Sequence, residues 1–157
     1  MSGAGKSTAL AELGRRGFRV VDTDEPGWTE VRDGEPLWRE DRISKLLAAD
    51  EPPTVYVSGC VANQGLFYDR FDTVVLLSVP AELLLERIAT RTTNDFGKAS
   101  REREQILADL AAVEPLLRET CTHELDTTAP LEQVVAARAA IGDDPRYSRS
   151  GEYLPTF

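Results

Sequence analysis

The hydrophobic residues of this chain follow two patterns that alternate along its length. Short continuous apolar runs at residues 18–21, 54–57 and 73–79 are typical of buried β-strands, and a last strand is predicted at 122–127. Between the strands, apolar residues recur at helical spacing. The predicted helices cover residues 8–16, 36–49, 80–91, 100–119 and 130–141, with a break at Pro115 as an alternative in the fourth. Strands that alternate with helices predict an α/β fold, with a mostly parallel sheet covered by helices on both faces.

The most informative motif stands at the start of the chain, where residues 1–8 read Met-Ser-Gly-Ala-Gly-Lys-Ser-Thr. Gly5, Lys6 and Ser7 match the end of the phosphate-binding pattern G-x-x-x-x-G-K-[ST]. Glycines let the backbone turn tightly and direct N–H groups at phosphate oxygens, and the following helix adds its positive end. In such a loop the lysine reaches the outer phosphates and the hydroxyl of the next residue ligates magnesium. The motif therefore predicts binding of a nucleoside triphosphate with Mg²⁺.

The front of this motif is incomplete, since the pattern puts its first glycine one position before Met1. The strand that delivers the chain into such a loop is also absent. Two explanations stay open: the native start lies upstream, or the chain is a compromised form of the proteins that carry such a loop. We favour the first, because the later motifs are coherent with catalysis. A third interpretation, a small-residue N-terminal arm that contains Gly-Lys-Ser by chance, carries the least weight.

Composition limits the class of protein. A chain of 157 residues with 41% hydrophobic and 29% charged residues is typical of one soluble globular domain. The net charge of −9 argues against an obligate nucleic-acid binder. There is no signal peptide and no apolar run of membrane-spanning length, and Cys60 and Cys121 form no disulfide framework. We therefore expect a cytoplasmic protein without a nucleic-acid or membrane partner; the oligomeric state stays open.

Further on, the order of motifs resembles that of small P-loop kinases, most closely the shikimate-kinase-like branch. The resemblance covers the chain to about residue 141 and rests on the phosphate loop and four short segments. These segments are Val21-Asp22-Thr23-Asp24, Leu37-Trp38-Arg39-Glu40, Val79-Pro80-Ala81-Glu82, and Pro115-Leu116-Leu117-Arg118-Glu119 before Asp126-Thr127.

The resemblance implies a three-layer P-loop NTPase fold that lacks its first strand here. Residues 1–141 would form the kinase domain, with a lid at about 92–100, and residues 142–157 a flexible tail. The implied reaction transfers the γ-phosphate of ATP, with Mg²⁺, to a hydroxyl of a small, anionic acceptor.

The resemblance also implies roles for individual residues. The catalytic set is Lys6, Asp24 and Arg91. The nucleotide-binding set is Gly3, Ala4, Gly5, Lys6, Ser7, Thr8, Arg87, Thr128 and Pro130. The metal ligands are Ser7 and Asp22, and the acceptor-binding set is Asp24, Arg39, Gly59 and Arg118. Each has a simpler structural explanation: a turn cap for the carboxylates, and a solvated face or surface ion pair for the arginines.

Two departures keep other functions open. Shikimate kinases carry a glycine triplet after the third strand of their sheet, whereas this chain has Gly59 followed by Asn63 and Gln64, which suggest recognition of a different acceptor by amide groups. Nucleoside monophosphate kinases usually end that strand with Asp-Gly, and here Ser58 precedes Gly59. The alternatives are a nucleoside monophosphate kinase and a regulatory module that holds ATP or ADP without phosphate transfer. Core packing is the expected role of Trp28, Trp38 and the single histidine, His123.

Overall fold

The computed structural model describes residues 3–49, 54–92 and 95–144. The helices are α1 (Lys6–Arg15), α2 (Glu40–Ala48), α3 (Ala81–Thr90), α4 (Ser100–Thr120) and α5 (Leu131–Gly142), with a 3₁₀ helix at Gln64–Arg70. The strands are β1 (Arg19–Asp22), β2 (Thr29–Arg32), β3 (Glu35–Trp38), β4 (Val55–Ser58), β5 (Val75–Ser78) and β6 (His123–Asp126). The alternation of strands and helices confirms the predicted α/β class.

The parallel strands form two separate pairs. β1 pairs with β4, with Arg19 opposite Val55, and β5 pairs with β6, with Val75 opposite His123. Within the described residues neither pair is bonded to the other, and a cavity of about 860 Å³ is lined by both β4 and β5. The sheet expected from the sequence is therefore split between β4 and β5, the position at which a central strand would join its two halves.

Helices cover the two strand pairs and close three groups of buried residues. α1 and α5 pack on β4 through Leu10, Leu13, Tyr56 and Val135. α3 and α4 meet through Leu84, Ile88 and Ile106, together with Ala4 and Val79. Trp38, Ile43 and Phe67 join β3, α2 and the 3₁₀ helix. Burial of this apolar surface is the main stabilising contribution to such a fold.

One predicted helix begins later than expected, because residues 36–38 belong to a strand. β2 and β3 form an antiparallel hairpin in which Thr29 lies opposite Trp38. Asp33 and Gly34 connect the strands with φ angles of 52° and 84°. Two consecutive positive φ angles suit the two-residue hairpin turns whose twist matches that of the strands. The prediction of a helix over residues 36–49 is thus wrong at its start, because α2 begins at Glu40. The residues before it form a hairpin, for which the sequence had predicted no strand.

The other boundaries agree with the sequence to within a few residues. α1 ends at Arg15, and Gly17 follows with a φ of 91°, as expected for a glycine beyond a helix end. α4 is continuous through Pro115, so the break considered for that helix is not present. None of the helices in the described ranges has the length and apolar content that a membrane span requires.

Part of the predicted domain organisation lies outside the described residues. This holds for residues 93–94 of the predicted lid and for residues 145–157 of the predicted tail. The described chain continues through Gly142, which ends α5, to residue 144. The division into a domain at 1–141, a lid at about 92–100 and a tail stays a prediction.

Candidate active site

The phosphate loop has the backbone geometry that the motif predicts. Gly3 and Gly5 have φ angles of 84° and 90°, a region that favours glycine, and α1 begins at Lys6 directly after them. A Cβ on Gly3 would lie 3.0 Å from Cγ1 of Ile88, so the loop also rests closely on α3. Among the described residues, no atom lies within 4 Å of a Cβ built on Gly5. A glycine is therefore favoured there by the backbone conformation and not by lack of space.

The first turn of α1 is suited to anions. It contains no acidic residue, and Lys6, Ser7 and Thr8 follow one another at the positive end of the helix. Ser7 and Thr8 are exposed, whereas Ala4 is buried against Val79. The buried alanine anchors the loop, whereas the hydroxyls of Ser7 and Thr8 remain exposed and Lys6 is half-buried.

The two candidate carboxylates flank a buried threonine at the end of β1. Thr23 is fully buried; its backbone N–H and its hydroxyl both donate to the carbonyl of Ser58, at 2.9 and 2.8 Å. Asp22 accepts a hydrogen bond from the backbone N–H of Asp24 at 3.1 Å. Thr23 thus fixes the turn to the end of β4, while the half-buried Asp22 and the exposed Asp24 stay on the solvent side.

The buried side chain of Trp38 supports this turn. The indole N–H of Trp38 donates to the Thr23 hydroxyl at 2.8 Å, and both side chains are buried. Gly59 completes the contact, since a Cβ there would lie 2.1 Å from Oγ1 of Thr23 and 2.9 Å from Cζ2 of Trp38. We call Thr23, Trp38, Ser58 and Gly59 the threonine nest. The sequence reasoning gave the threonine no role, although its place between two candidate carboxylates was the available signal.

The two amide side chains after Gly59 are used within the protein. Asn63 accepts from the backbone N–H of Trp38 at 2.8 Å and donates to its carbonyl at 3.0 Å. Gln64 accepts from the backbone N–H of Val61 at 3.3 Å. The suggestion that these amides recognise the acceptor is therefore replaced by a structural role: Asn63 holds the end of β3 in place.

Arg39 follows the nest and offers a partly unpaired guanidinium. It is the residue before α2, and its backbone N–H donates to the carbonyl of Trp28 at 2.8 Å. Its Nε is buried, lies 3.6 Å from Oδ1 of Asp41, and has no hydrogen-bond partner among the described residues. A guanidinium with an unsatisfied donor suits a carboxylate or phosphate ligand.

Arg87 and the loop after β6 come together at the predicted adenine side. The Arg87 guanidinium donates to the hydroxyl and the carbonyl of Thr127, at 3.0 and 2.5 Å. The backbone N–H of Thr128 donates to Asp126 at 2.8 Å, and this bond is the main reason why the pKa of Asp126 is lowered. Pro130 directly precedes α5. The structure thus places Arg87 beside Thr127, the residue directly before Thr128.

Arg91 lies at the base of the predicted lid. It directly follows α3 and donates to the carbonyl of Phe96 at 2.5 Å. Gly97 has a φ of 92°, and a Cβ on it would lie 2.6 Å from Cγ2 of Ile88. Its backbone N–H donates to Glu102 at 2.9 Å. These contacts fasten the described part of the lid to α3 and α4.

Arg118 is engaged elsewhere. Its guanidinium pairs with Glu114 and Glu124, each at 2.8 Å. The pairing raises the pKa of Arg118 and lowers that of Glu124 to about 2. None of its contacts in the described structure involves Asp24, Arg39 or Gly59, so the structure does not join it to the other predicted acceptor residues.

Comparison with known proteins gives three similarities. The family described as AAA domain matches residues 1–108. Shikimate kinase 2 of Yersinia enterocolitica (serotype O:8 / biotype 1B) is 31% identical over 151 residues, which cover 85% of this chain and 86% of that protein. The crystal structure of TT1252 from Thermus thermophilus superposes with a TM-score of 0.58 at 21% identity, and covers 91% of this chain and 93% of that one.

Proposed function

Because this chain belongs to the AAA-domain family and to the P-loop kinases that include shikimate kinase, we propose that it is an ATP-dependent phosphotransferase. It transfers the γ-phosphoryl group of ATP to a hydroxyl of a small, anionic metabolite. One observation carries the proposal: the phosphate loop packs on Val79, directly after β5, and the turn with Asp22 and Asp24 directly follows β1, so both lie at carboxyl ends of parallel strands. Open α/β folds bind their ligands at this end of the strands, where a nucleotide held by the loop would meet an acceptor held beside the two carboxylates.

The residues of the loop suit the triphosphate. The positive φ angles of Gly3 and Gly5 turn backbone N–H groups toward one point, and Lys6 adds a cation. Arg87, Thr128 and Pro130 border the adenine, and Arg91 approaches the transferring phosphate from the lid. Removal of charge repulsion and correct alignment are the main requirements of phosphoryl transfer.

Magnesium suits the oxygen ligands available here. Mg²⁺ is usually bound by one or two carboxylates together with phosphates and water. Ser7 and Asp22 supply a hydroxyl and a carboxylate of this kind, and within the described residues there is no cluster of three or more His, Cys, Asp or Glu. When bound, the ion would neutralise charge on the phosphates. Asp22 would be one of its ligands, and Thr23 fixes the turn that carries Asp22.

Asp24 is assigned to the acceptor. The acceptor oxygen forms a bond to the γ-phosphorus as the bond from that phosphorus to the ADP oxygen breaks, and the hydroxyl proton passes to the Asp24 carboxylate. Arg39 binds the negative charge of the acceptor. We prefer Arg39 to Arg118 for this task, because both carboxylate partners of Arg118 already occupy its guanidinium. Since ATP is abundant in the cytoplasm, we propose that compartment.

The test is acceptor-dependent release of ADP by the full chain with Mg-ATP, across small hydroxy acids and nucleoside monophosphates. We expect turnover with one class of hydroxy acid, and a loss of at least about 100-fold in kcat with Asp24→Asn, as is typical for removal of a positioned general base. Turnover only with nucleoside monophosphates would establish a nucleotide kinase instead. Binding of ATP without any acceptor-dependent turnover would establish a regulatory module.

The role of Arg39 has its own comparison. Arg39→Ala should raise the KM for the acceptor by about tenfold or more and leave the KM for ATP within about twofold, since a hydrogen-bonded charge pair contributes about 1.5–3 kcal/mol. Arg32→Ala is the matched control, because Arg32 lies in the nearby hairpin and pairs only with Glu30 within the described structure. Equal effects of the two substitutions on the KM for the acceptor would show that Arg39 does not bind the acceptor.

A further inference from the structure

The β2–β3 hairpin has two outer edges, and its turn fixes which backbone groups face them. In a hairpin with a two-residue turn, the residues that flank the turn are hydrogen-bonded to each other, and bonded and non-bonded pairs then alternate along the strands. Arg32 and Glu35 flank the turn, so the next pair, Val31 and Pro36, is not hydrogen-bonded within the hairpin. The N–H and C=O of Val31 therefore point away from β3, onto the outer edge of β2.

The outer edge of β3 is blocked. By the same alternation Trp38, which lies opposite Thr29, also directs its backbone groups outward. The side chain of Asn63 takes both of them, since it accepts from the Trp38 N–H at 2.8 Å and donates to the Trp38 carbonyl at 3.0 Å. Pro36, the other outward residue of β3, has no N–H to donate. A further strand therefore finds no open ladder on this side of the hairpin.

The outer edge of β2 is open. Among the described residues, no strand except β3 pairs with β2. Val31, at the centre of this edge, is a large apolar residue that is 74% exposed. Proteins usually cover an open edge or interrupt it with proline, because its free N–H and C=O groups pair readily with another strand. Only the β3 side of this hairpin has such protection.

The charges of β2 complement those of a second β2 strand. When two copies of β2 lie antiparallel with Val31 opposite Val31, Glu30 of each copy lies opposite Arg32 of the other. Opposite charges across an antiparallel pair stabilise it, and like charges destabilise it. In the neighbouring register that keeps the outward groups facing each other, Glu30 would lie opposite Glu30. The charges therefore select the register centred on Val31.

We propose that the outer edge of β2 binds β2 of a second copy of this chain in antiparallel orientation. The N–H of Val31 in each copy donates to the Val31 carbonyl of the other, and the two valine side chains contact each other on one face. The product is a four-stranded sheet in the order β3–β2–β2–β3. Because the outer β3 edges are blocked, this two-fold pairing closes at a dimer. The proposal is independent of the phosphotransferase assignment, since it is measured without nucleotide or acceptor.

The first test is sedimentation of the full chain over a range of concentrations. A contact between two short strands is typical of weak complexes, so we expect the dimer to appear at about 0.1–1 mM protein. Arg32→Glu and Glu30→Arg should each weaken association by about tenfold, because both cross-strand pairs become pairs of like charge. An equimolar mixture of these two variants should associate as the parent does, since opposite charges then face each other again.

Two results of this experiment would overturn the proposal. One is a parent chain that stays monomeric at about 1 mM, the upper end of the range for a weak complex. The other is equal self-association of the parent and of both charge variants, which would place the contact on another surface. A mixture that associates no better than the separate variants would exclude the register centred on Val31.

The second test locates the contact by amide hydrogen exchange. Exchange at Val31 should slow as the concentration of the parent chain rises, whereas the amide of Arg32, which is bonded within the hairpin, is the internal reference. Val31→Pro should abolish association and keep the hairpin, because the N–H of Val31 is not used within it. Association that persists in Val31→Pro would contradict the proposal. Slow exchange of Val31 at every concentration would also contradict it, because the edge would then be covered within one chain.

Discussion

At the scale of single residues, the threonine nest accounts for the positions of the Thr23 and Trp38 side chains and for the glycine at position 59. Thr23 uses its hydroxyl twice, as donor to Ser58 and as acceptor from Trp38, so a buried polar group has both partners it needs. This arrangement fixes the turn that carries Asp22 and Asp24. Positioning of the carboxylates thus depends on Thr23 and Trp38, which touch neither nucleotide nor acceptor in the proposed mechanism.

Gly59→Ala should destabilise the protein by about 1–3 kcal/mol, the usual cost of an extra methyl in a packed site. The reason is the 2.1 Å approach of a Cβ to Oγ1 of Thr23. Gly65→Ala is the control, because nothing lies within 4 Å of a Cβ at that position. Urea unfolding of the two variants measures the difference, and equal midpoints would contradict the packing described for the nest.

At the scale of elements, Arg118 and Glu124 connect α4 to β6 by an ion pair. The hydrogen bond from Arg118 lowers the pKa of Glu124 from 4.5 to about 2. A carboxyl with a lowered pKa stabilises the fold above its unfolded value of 4.5, and this contribution is lost as the pH falls toward 2. The link should therefore weaken under acid conditions.

Glu124→Gln should lower Tm by about 1–2 °C at pH 7, since the pair is largely exposed and screened by solvent. The difference from the parent chain should shrink as the pH falls below 4.5 and vanish only below pH 2, where both carry a neutral side chain. Thermal unfolding across this pH range is the measurement. Glu119→Gln controls for the loss of charge, and a constant offset at every pH would rule out the ion pair as the cause.

The elements also show how far the sequence alone leads. Strands such as Val75–Ser78 were predictable, because short continuous apolar runs without alternation are typical of strands in a parallel sheet. The β2–β3 hairpin was missed because Glu30, Arg32 and Glu35 gave the segment the charge of a loop, although Asp33-Gly34 is a recognised turn signal. Residue identity predicted the phosphate loop and the carboxylate turn, whereas the partners of Asn63 and Arg118 depend on contacts distant in sequence and required the structure.

At the scale of the whole molecule, Mg-ATP should stabilise the folded chain. A ligand about 100-fold above its Kd contributes about 2.7 kcal/mol, which corresponds to a rise in Tm of about 5–10 °C for a domain of this size. Lys6→Ala should remove most of the rise, and Lys45→Ala, an exposed lysine on α2, should retain it. A thermal shift titration makes the comparison; an undiminished rise in Lys6→Ala would exclude the phosphate loop as the binding site.

The hydrogen bond from Trp38 to Thr23 also gives the protein a built-in optical probe. Only two tryptophans are present, and Trp38 is the buried one. Its indole N–H donates to Thr23, which lies between the candidate carboxylates Asp22 and Asp24 in the sequence. Indole emission responds to the polarity and charge around the ring. Trp28→Phe would leave Trp38 as the sole tryptophan, so that events at the Asp22–Asp24 turn become visible as changes in fluorescence without any added label.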